Sequence, residues 1–283
     1  MNTIRLLSEN RFRSFIRWLS GGEDGGDDEA GKEATGIITL HHPDDAIAKT
    51  FYAKFYPDLQ GRSRAMVNEV AGYILARRYD LPQPPKACIV RLPLKKLDLK
   101  SLPKKHGWLK ETAKVIGTYP AFCTEALNVP TPWHHYGQTA IDAMKADIRR
   151  WPGHMKTVVF DDVIANLDRH LNNLLRTGAS RYALIDHGRL VVASGHWAAK
   201  DLDAHGVYEN RLLSLLYDDP SIVANDMIAA AENVGALLAG MEEVNNWTNV
   251  LIRNPEESNA FDKFLRARTI EAPERIAGRH ALC

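Results

Sequence analysis

The spacing of apolar and polar positions changes character part-way along this chain. GIITL (36–40) and TFYAKFY (50–56) are short runs rich in β-branched and aromatic residues, separated by the turn-like HHPDD at 41–45, and both predict strands. KACIVRLPL (86–94) and TYPAFCTEAL (118–127) have the same character, and the prolines of NVPTPW end the second. RSRAMVNEVAGYILARRYD (62–80) places Met66, Val67, Val70, Ile74 and Leu75 at helical spacing and predicts a helix. LPQPP stops it, because proline cannot continue a helix. At the start of the chain, Ile4, Leu7, Phe12, Phe15, Ile16 and Leu19 fall roughly on one helical face, which predicts a helix over residues 1–20.

Further on the period is helical, over 138–151, over 155–166 and from Val207 to about Ala267. LDRHLNNLL (167–175) and RYALIDHG (181–188) interrupt it and read as a loop with short strands. The pattern predicts an α+β chain with a break near residues 126–137. Residues 1–35 are an N-terminal helix and a flexible Gly- and acid-rich segment, 36–130 a β-rich lobe with one helix, and 131–283 a mainly helical lobe.

Bulk properties narrow the function classes. A chain of 283 residues suffices for one large domain or two modest lobes, each with its own core. The 36 basic residues nearly balance the 35 acidic ones, so no global field favours nucleic acid or an anionic membrane, and direct nucleic-acid binding is not expected. No apolar run approaches the roughly 18 residues of a membrane span. The basic, amphipathic N-terminus does not read as a secretory signal. Cys88, Cys123 and Cys283 show no paired spacing, which fits a reducing compartment, and the expected location is cytoplasmic. The lysines between Lys95 and Lys114 read as a solvated face over a loop and short helix.

The chemistry is concentrated in FDDVIANLDRHLNNLLRTGASRYALIDHG (160–188). It carries Asp168 and, five positions on, Asn173; eighteen positions beyond Asp168 stands Asp186, inside Ile-Asp-His-Gly. Phosphoryl transfer needs a carboxylate at the acceptor hydroxyl and hard oxygen ligands for a Mg²⁺ that bridges the phosphates. An Asp and an Asn on one loop and a second Asp on the next hairpin supply those parts. Gly188 is expected to give the metal loop its tight turn.

These motifs, Asn-Leu-Asp-Arg-His-Leu-Asn-Asn-Leu-Leu and Leu-Ile-Asp-His-Gly, resemble the catalytic and metal loops of HipA-like kinases. They are also similar to the Asp-Arg-His and Ile-Asp-x-Gly motifs of phosphatidylinositol kinases. The resemblance implies a two-lobed protein-kinase-like fold using ATP and Mg²⁺. It implies Asp168 as catalytic base, His170 as the histidine of the catalytic loop, and Asn173 and Asp186 as metal ligands, with Asn172 a second choice if the register slips by one. Upstream, Tyr-Ala-Lys-Phe places Lys54 on a strand and Val-Asn-Glu-Val places Glu69 on the following helix, matching a phosphate-holding lysine and its glutamate partner. Thr124, Glu125 and Ala126 stand where the hinge would meet adenine through its backbone.

By the same resemblance the acceptor is a serine or threonine of a protein, in the translation machinery by family analogy. A toxin or stress role and an antitoxin or other regulatory partner go with it. The chain departs from the kinase pattern in having no clear Gly-x-Gly-x-x-Gly before Lys54. A lipid or small-molecule acceptor, a nucleotide-binding pseudokinase module, and transfer of AMP in place of phosphate stand as alternatives.

Overall fold

A computed structural model describes residues 3–19, 33–57, 64–127, 129, 138–191 and 195–280. Most of the Gly- and acid-rich segment (20–32) and Cys283 lie outside the described residues. In chain order the elements are strands β1 (Ile4–Leu7), β2 (Phe12–Trp18), β3 (Ala34–Leu40) and β4 (Lys49–Phe55), helix α1 (Ala65–Arg78), strand β5 (Ala87–Pro93), helix α2 (Gly107–Val115) and strand β6 (Thr118–Glu125). Then come helices α3 (Gln138–Arg150) and α4 (His154–Val163), strands β7 (Leu174–Gly178) and β8 (Arg181–Leu184), and helices α5 (Arg211–Leu216), α6 (Ala224–Ala231), α7 (Met241–Leu251) and α8 (Pro255–His280). The chain is therefore α+β, with a mixed sheet in its N-terminal part and helices in its C-terminal part. It divides into two compact units, Met1–Ser63 with Pro84–Leu127, and Arg64–Gln83 with Asn128–Cys283.

The first unit is a six-stranded sheet in the order β1-β5-β6-β4-β3-β2, parallel at β1–β5 and antiparallel elsewhere. Alternation along β4 turns Phe51, Ala53 and Phe55 into the core, where each phenylalanine contributes roughly 2 kcal/mol by leaving water. Trp18 packs its ring against Phe15 and Phe55 and donates its indole N–H to the carbonyl oxygen of Asp98 at 2.7 Å. Leu97, Leu102 and Leu109 pack inward, while Lys95, Lys96, Lys100, Lys104, Lys105 and Lys114 face solvent. Register places the two buried free cysteines, Cys88 on β5 and Cys123 on β6, directly opposite each other. Spacing along the chain does not reveal that pairing, because it is created by strand register.

The expected N-terminal helix is corrected here: residues 4–7 and 12–18 are strands. Ile4, Leu7, Phe12 and Trp18 are buried, but Ile16 is half exposed, so the supposed helical face is not a buried stripe. A short 3-10 turn at Glu9–Arg11 breaks the run. The aromatic and β-branched content of Phe12–Trp18 suits pairing with β3, and sheet pairing overrides a weak helical period.

The second unit is helical apart from the β7–β8 hairpin. Every residue of α1 from Val67 to Ala76 is buried, so its apolar stripe was the visible part of a helix enclosed on all sides. Although the sequence pattern groups α1 with residues 36–130, it clusters with the helical unit and packs on α7. Arg268 of α8, fully buried, donates to the carbonyl oxygens of Asp162 (2.6 Å) and Val163 (3.0 Å), satisfying the C-terminal end of α4. Among the described residues no single helix is long and apolar enough to cross a membrane.

Candidate active site

Two neighbouring strips of chain in the second unit hold Asp168, His170, Asn173 and Asp186. After α4 the chain turns at Ala165, which has φ of 52°. Asn166 then bridges antiparallel to Leu190, and the amide of Val191 donates to the carbonyl oxygen of Ala165 at 2.8 Å. The hairpin pairs Leu174 with Leu184 and Leu175 with Ala183, and the Ile185 amide donates to the Asn173 carbonyl oxygen at 3.1 Å. The loop carrying Asp168 is thus tied to the loop carrying Asp186 on both flanks. Val191 also takes a left-handed φ, 69°, which is strained for a β-branched residue.

Within the first loop, the Asn173 side-chain amide donates its Nδ2–H to the carbonyl oxygen of Asp168 at 2.7 Å. That acceptor fixes which end of the amide faces Asp168 and leaves Oδ1, a hard oxygen, as the end a divalent cation would take. The Asp168 carboxylate lies between two guanidinium groups, Arg211 Nη1 at 2.5 Å from Oδ1 and Arg189 Nε at 3.4 Å from Oδ2. His170 accepts the Asn172 amide at Nδ1 (3.2 Å), and its Nε2 lies 4.0 Å from Asp168 Oδ2, too long for a hydrogen bond. Burial pushes the His170 pKa below its ordinary value; Asp168 and Asp186 pull it up, Arg211 and Arg169 push it down, and the net shift is downward. The imidazole is therefore neutral at pH 7, with its proton on Nε2.

The second loop turns at Asp186 itself, whose φ is 60°. Gly188, expected to make that turn, has no left-handed backbone. A Cβ there would meet only ordinary contacts, 3.5 Å from Asp186 Oδ1 and 3.7 Å from Glu69 Oε1, so neither backbone nor space requires glycine at this position. The Gly188 amide donates to Asp186 Oδ1 at 3.3 Å.

Helix α1 holds this loop from outside. Glu69, almost wholly buried, accepts the His187 amide at Oε2 (2.8 Å). Asn68 donates to the Gly188 carbonyl oxygen at 2.9 Å and accepts the Trp197 indole N–H at 3.0 Å. Asn68 stands beside Glu69 in Val-Asn-Glu-Val, and only the fold shows that it holds the same loop. Gly72 faces that loop too: a Cβ there would lie 2.3 Å from His187 Cβ.

Structure thus brings Asp168, His170, Asn173, Asp186 and Glu69 into one neighbourhood. Lys54, Thr124, Glu125 and Ala126 belong to the first unit. Lys54 sits on β4 opposite Thr35 of β3 and Phe122 of β6. Thr124 is paired with Tyr52 and Ala87. The amides of Glu125 and Ala126 donate to the carbonyl oxygens of Lys86 (3.0 Å) and Thr50 (2.9 Å), and the Glu125 carboxylate pairs with Lys49 at 2.7 Å. Those two amides are therefore engaged within the sheet.

Two observations bear on a Mg²⁺ ion. The donor set is carboxylate and amide oxygen, the hard chemistry Mg²⁺ takes. One further oxygen beside Asn173, Oδ1 of Asn172, is buried with no hydrogen-bond partner among the described residues. A buried amide oxygen left unpaired costs about 1–3 kcal/mol, which a cation or its water would offset. Among the described residues no group of three or more His, Cys, Asp or Glu side chains is arranged to hold a metal.

A scan against protein-family models matches none, and a search of curated proteins returns no match.

Proposed function

We propose that this chain is an ATP- and Mg²⁺-dependent phosphotransferase, a HipA-like serine/threonine protein kinase acting in the cytoplasm. The observation that carries the reading is the cross-tying of the two loops: Asn173 holds the Asp168 carbonyl through its side chain and the Ile185 amide through its backbone, one residue before Asp186. Phosphoryl transfer needs a base carboxylate and metal-binding oxygens held at one nucleotide, and this cross-tie keeps the two loops adjacent.

In this reading Asp168 orients the acceptor hydroxyl and takes its proton. Asp186 and Asn173 would hold Mg²⁺, with Asn172 Oδ1 the alternative amide oxygen. When bound, the ion neutralises phosphate charge. Neutral His170 buttresses the loop through its bond to Asn172 and leaves Asp168 as the base. Arg211 and Arg189 flank that base, one on each carboxylate oxygen, and an acceptor hydroxyl would use a remaining lone pair. The nucleotide roles of Lys54, Thr124, Glu125 and Ala126, the protein acceptor in the translation machinery, the toxin or stress role and the regulatory partner rest on the resemblance of the motifs alone.

Incubation with γ-labelled ATP and Mg²⁺, followed by separation of protein, lipid and metabolite fractions, tests the proposal. Label is expected in protein with the native chain, and a fall of at least about 100-fold with Asp186→Ala or Asp168→Ala while the fold survives. Full transfer by well-folded Asp186→Ala contradicts it; label in the lipid or metabolite fraction keeps the chemistry and changes the acceptor.

A further inference from the structure

We infer that Arg169 is the positioning residue that sets the metal loop, holding Asp186 in its left-handed turn and fixing the tautomer of His187. This rests on the phosphotransferase reading of the same site. Arg169 is fully buried, as is Asp161, its ion-pair partner on α4.

A guanidinium carries five N–H donors in a rigid plane. All five are used here. Nε donates to Asp161 Oδ2 at 3.1 Å and Nη2 to Asp161 Oδ1 at 3.1 Å. The second Nη2 hydrogen goes to His187 Nδ1 at 3.0 Å. Nη1 donates to the carbonyl oxygens of Ile185 (2.5 Å) and Asp186 (3.3 Å). Two carbonyls flanking the Cα of Asp186 are thereby held from one side, while Glu69 holds the next amide, that of His187. A left-handed aspartate costs about 1 kcal/mol or more relative to its relaxed backbone, and this pair of carbonyl bonds keeps it there. Because arginine only donates, His187 Nδ1 must be the acceptor, so the ring is neutral with its proton on Nε2. The Asp161 carboxylate is pinned in turn by Asn166 Nδ2 at 2.9 Å, which links α4, the catalytic loop and the metal loop in one buried network.

Lysine at 169 would keep the charge opposite Asp161 but offers three donors on one atom, too few and too close together to reach both carbonyls and the imidazole. The probe is Mn²⁺ with ATP, free Mn²⁺ being followed by electron paramagnetic resonance on the full chain. Arg169→Lys is expected to weaken Mn²⁺ binding at least about tenfold, as loss of ligand support does elsewhere, and to shift the His187 ring nitrogen resonances, without loss of helical circular dichroism. Asp161→Asn with Arg169→Gln removes both charges together, so no uncompensated ion is left buried, and is expected to weaken Mn²⁺ equally. Unchanged Mn²⁺ affinity in either folded variant, with normal binding by the native chain, overturns the role of Arg169 alone. No Mn²⁺ binding by the native chain in the presence of ATP overturns the nucleotide reading and this inference with it.

Discussion

At Gly72 one hydrogen atom stands where any other residue would place a carbon 2.3 Å from His187 Cβ. Gly72→Ala must therefore push the loop of Asp186 and His187 away from α1, against the usual gain of alanine over glycine in a helix. The expected result is a loss of stability of about 1–3 kcal/mol in urea unfolding, together with loss of phosphotransfer; a stabilised, fully active Gly72→Ala protein would mean the loop is not held where described. His170 makes a second prediction at this scale. Its folded pKa lies below the ordinary 6.5, so the folded state prefers the neutral ring. The associated stability is present above pH 6.5 and is lost as pH falls through that value towards the lowered one. His170→Gln should flatten stability against pH just below 6.5; an unchanged slope would show that another group titrates there.

Among the elements, the β7–β8 hairpin depends on α3. Asp147 of α3 accepts the hydroxyls of Tyr182 and Ser180, each at 2.7 Å, and meets Arg150 at 3.2 Å and Arg176 at 3.3 Å. Burial alone would raise its pKa; the bonds from Tyr182, Ser180 and Arg150 and the charge of Arg176 outweigh that and bring it down to about 2. The carboxylate therefore adds roughly 2 kcal/mol above pH 3.8, lost as pH falls towards 2. Asp147→Asn should remove about that much in urea unfolding at pH 7 and remove the acid dependence with it; an equal loss at pH 2 and pH 7 would contradict the charge account. What the sequence disclosed at this scale follows from physics. Strands β3 to β6 and helix α1 were legible because their periods are local. Strands β1 and β2 were misread because six apolar residues happened to fit a helical face, and only their partners β3 and β5 make them strands. Of the site, Asp168, Asn173 and Asp186 were legible as a spaced motif. Arg169, Asn68 and Gly72 were not, because a buried charge, a cross-chain amide and a missing methyl acquire meaning only once distant segments meet.

At the scale of the whole molecule, any ligand that binds the folded chain alone must stabilise it. With Mg²⁺ and ATP at about 100 times their dissociation constant the gain is about 2.7 kcal/mol, seen as a rise in melting temperature. Asp186→Ala should lose the Mg²⁺-dependent part of that rise, and an undiminished rise would place the ion elsewhere. The proposed function stands on Asp168, Asn173 and Asp186 meeting at one nucleotide, Asn173 and Asp186 on its ion and Asp168 at the transferred phosphate. A crystal structure of the chain with Mg²⁺ and a non-hydrolysable ATP analogue tests it most directly. Asp186 and an amide oxygen of Asn173 or Asn172 are expected on the ion, with Asp168 facing the terminal phosphate; nucleotide and ion bound away from these side chains would overturn the proposed function.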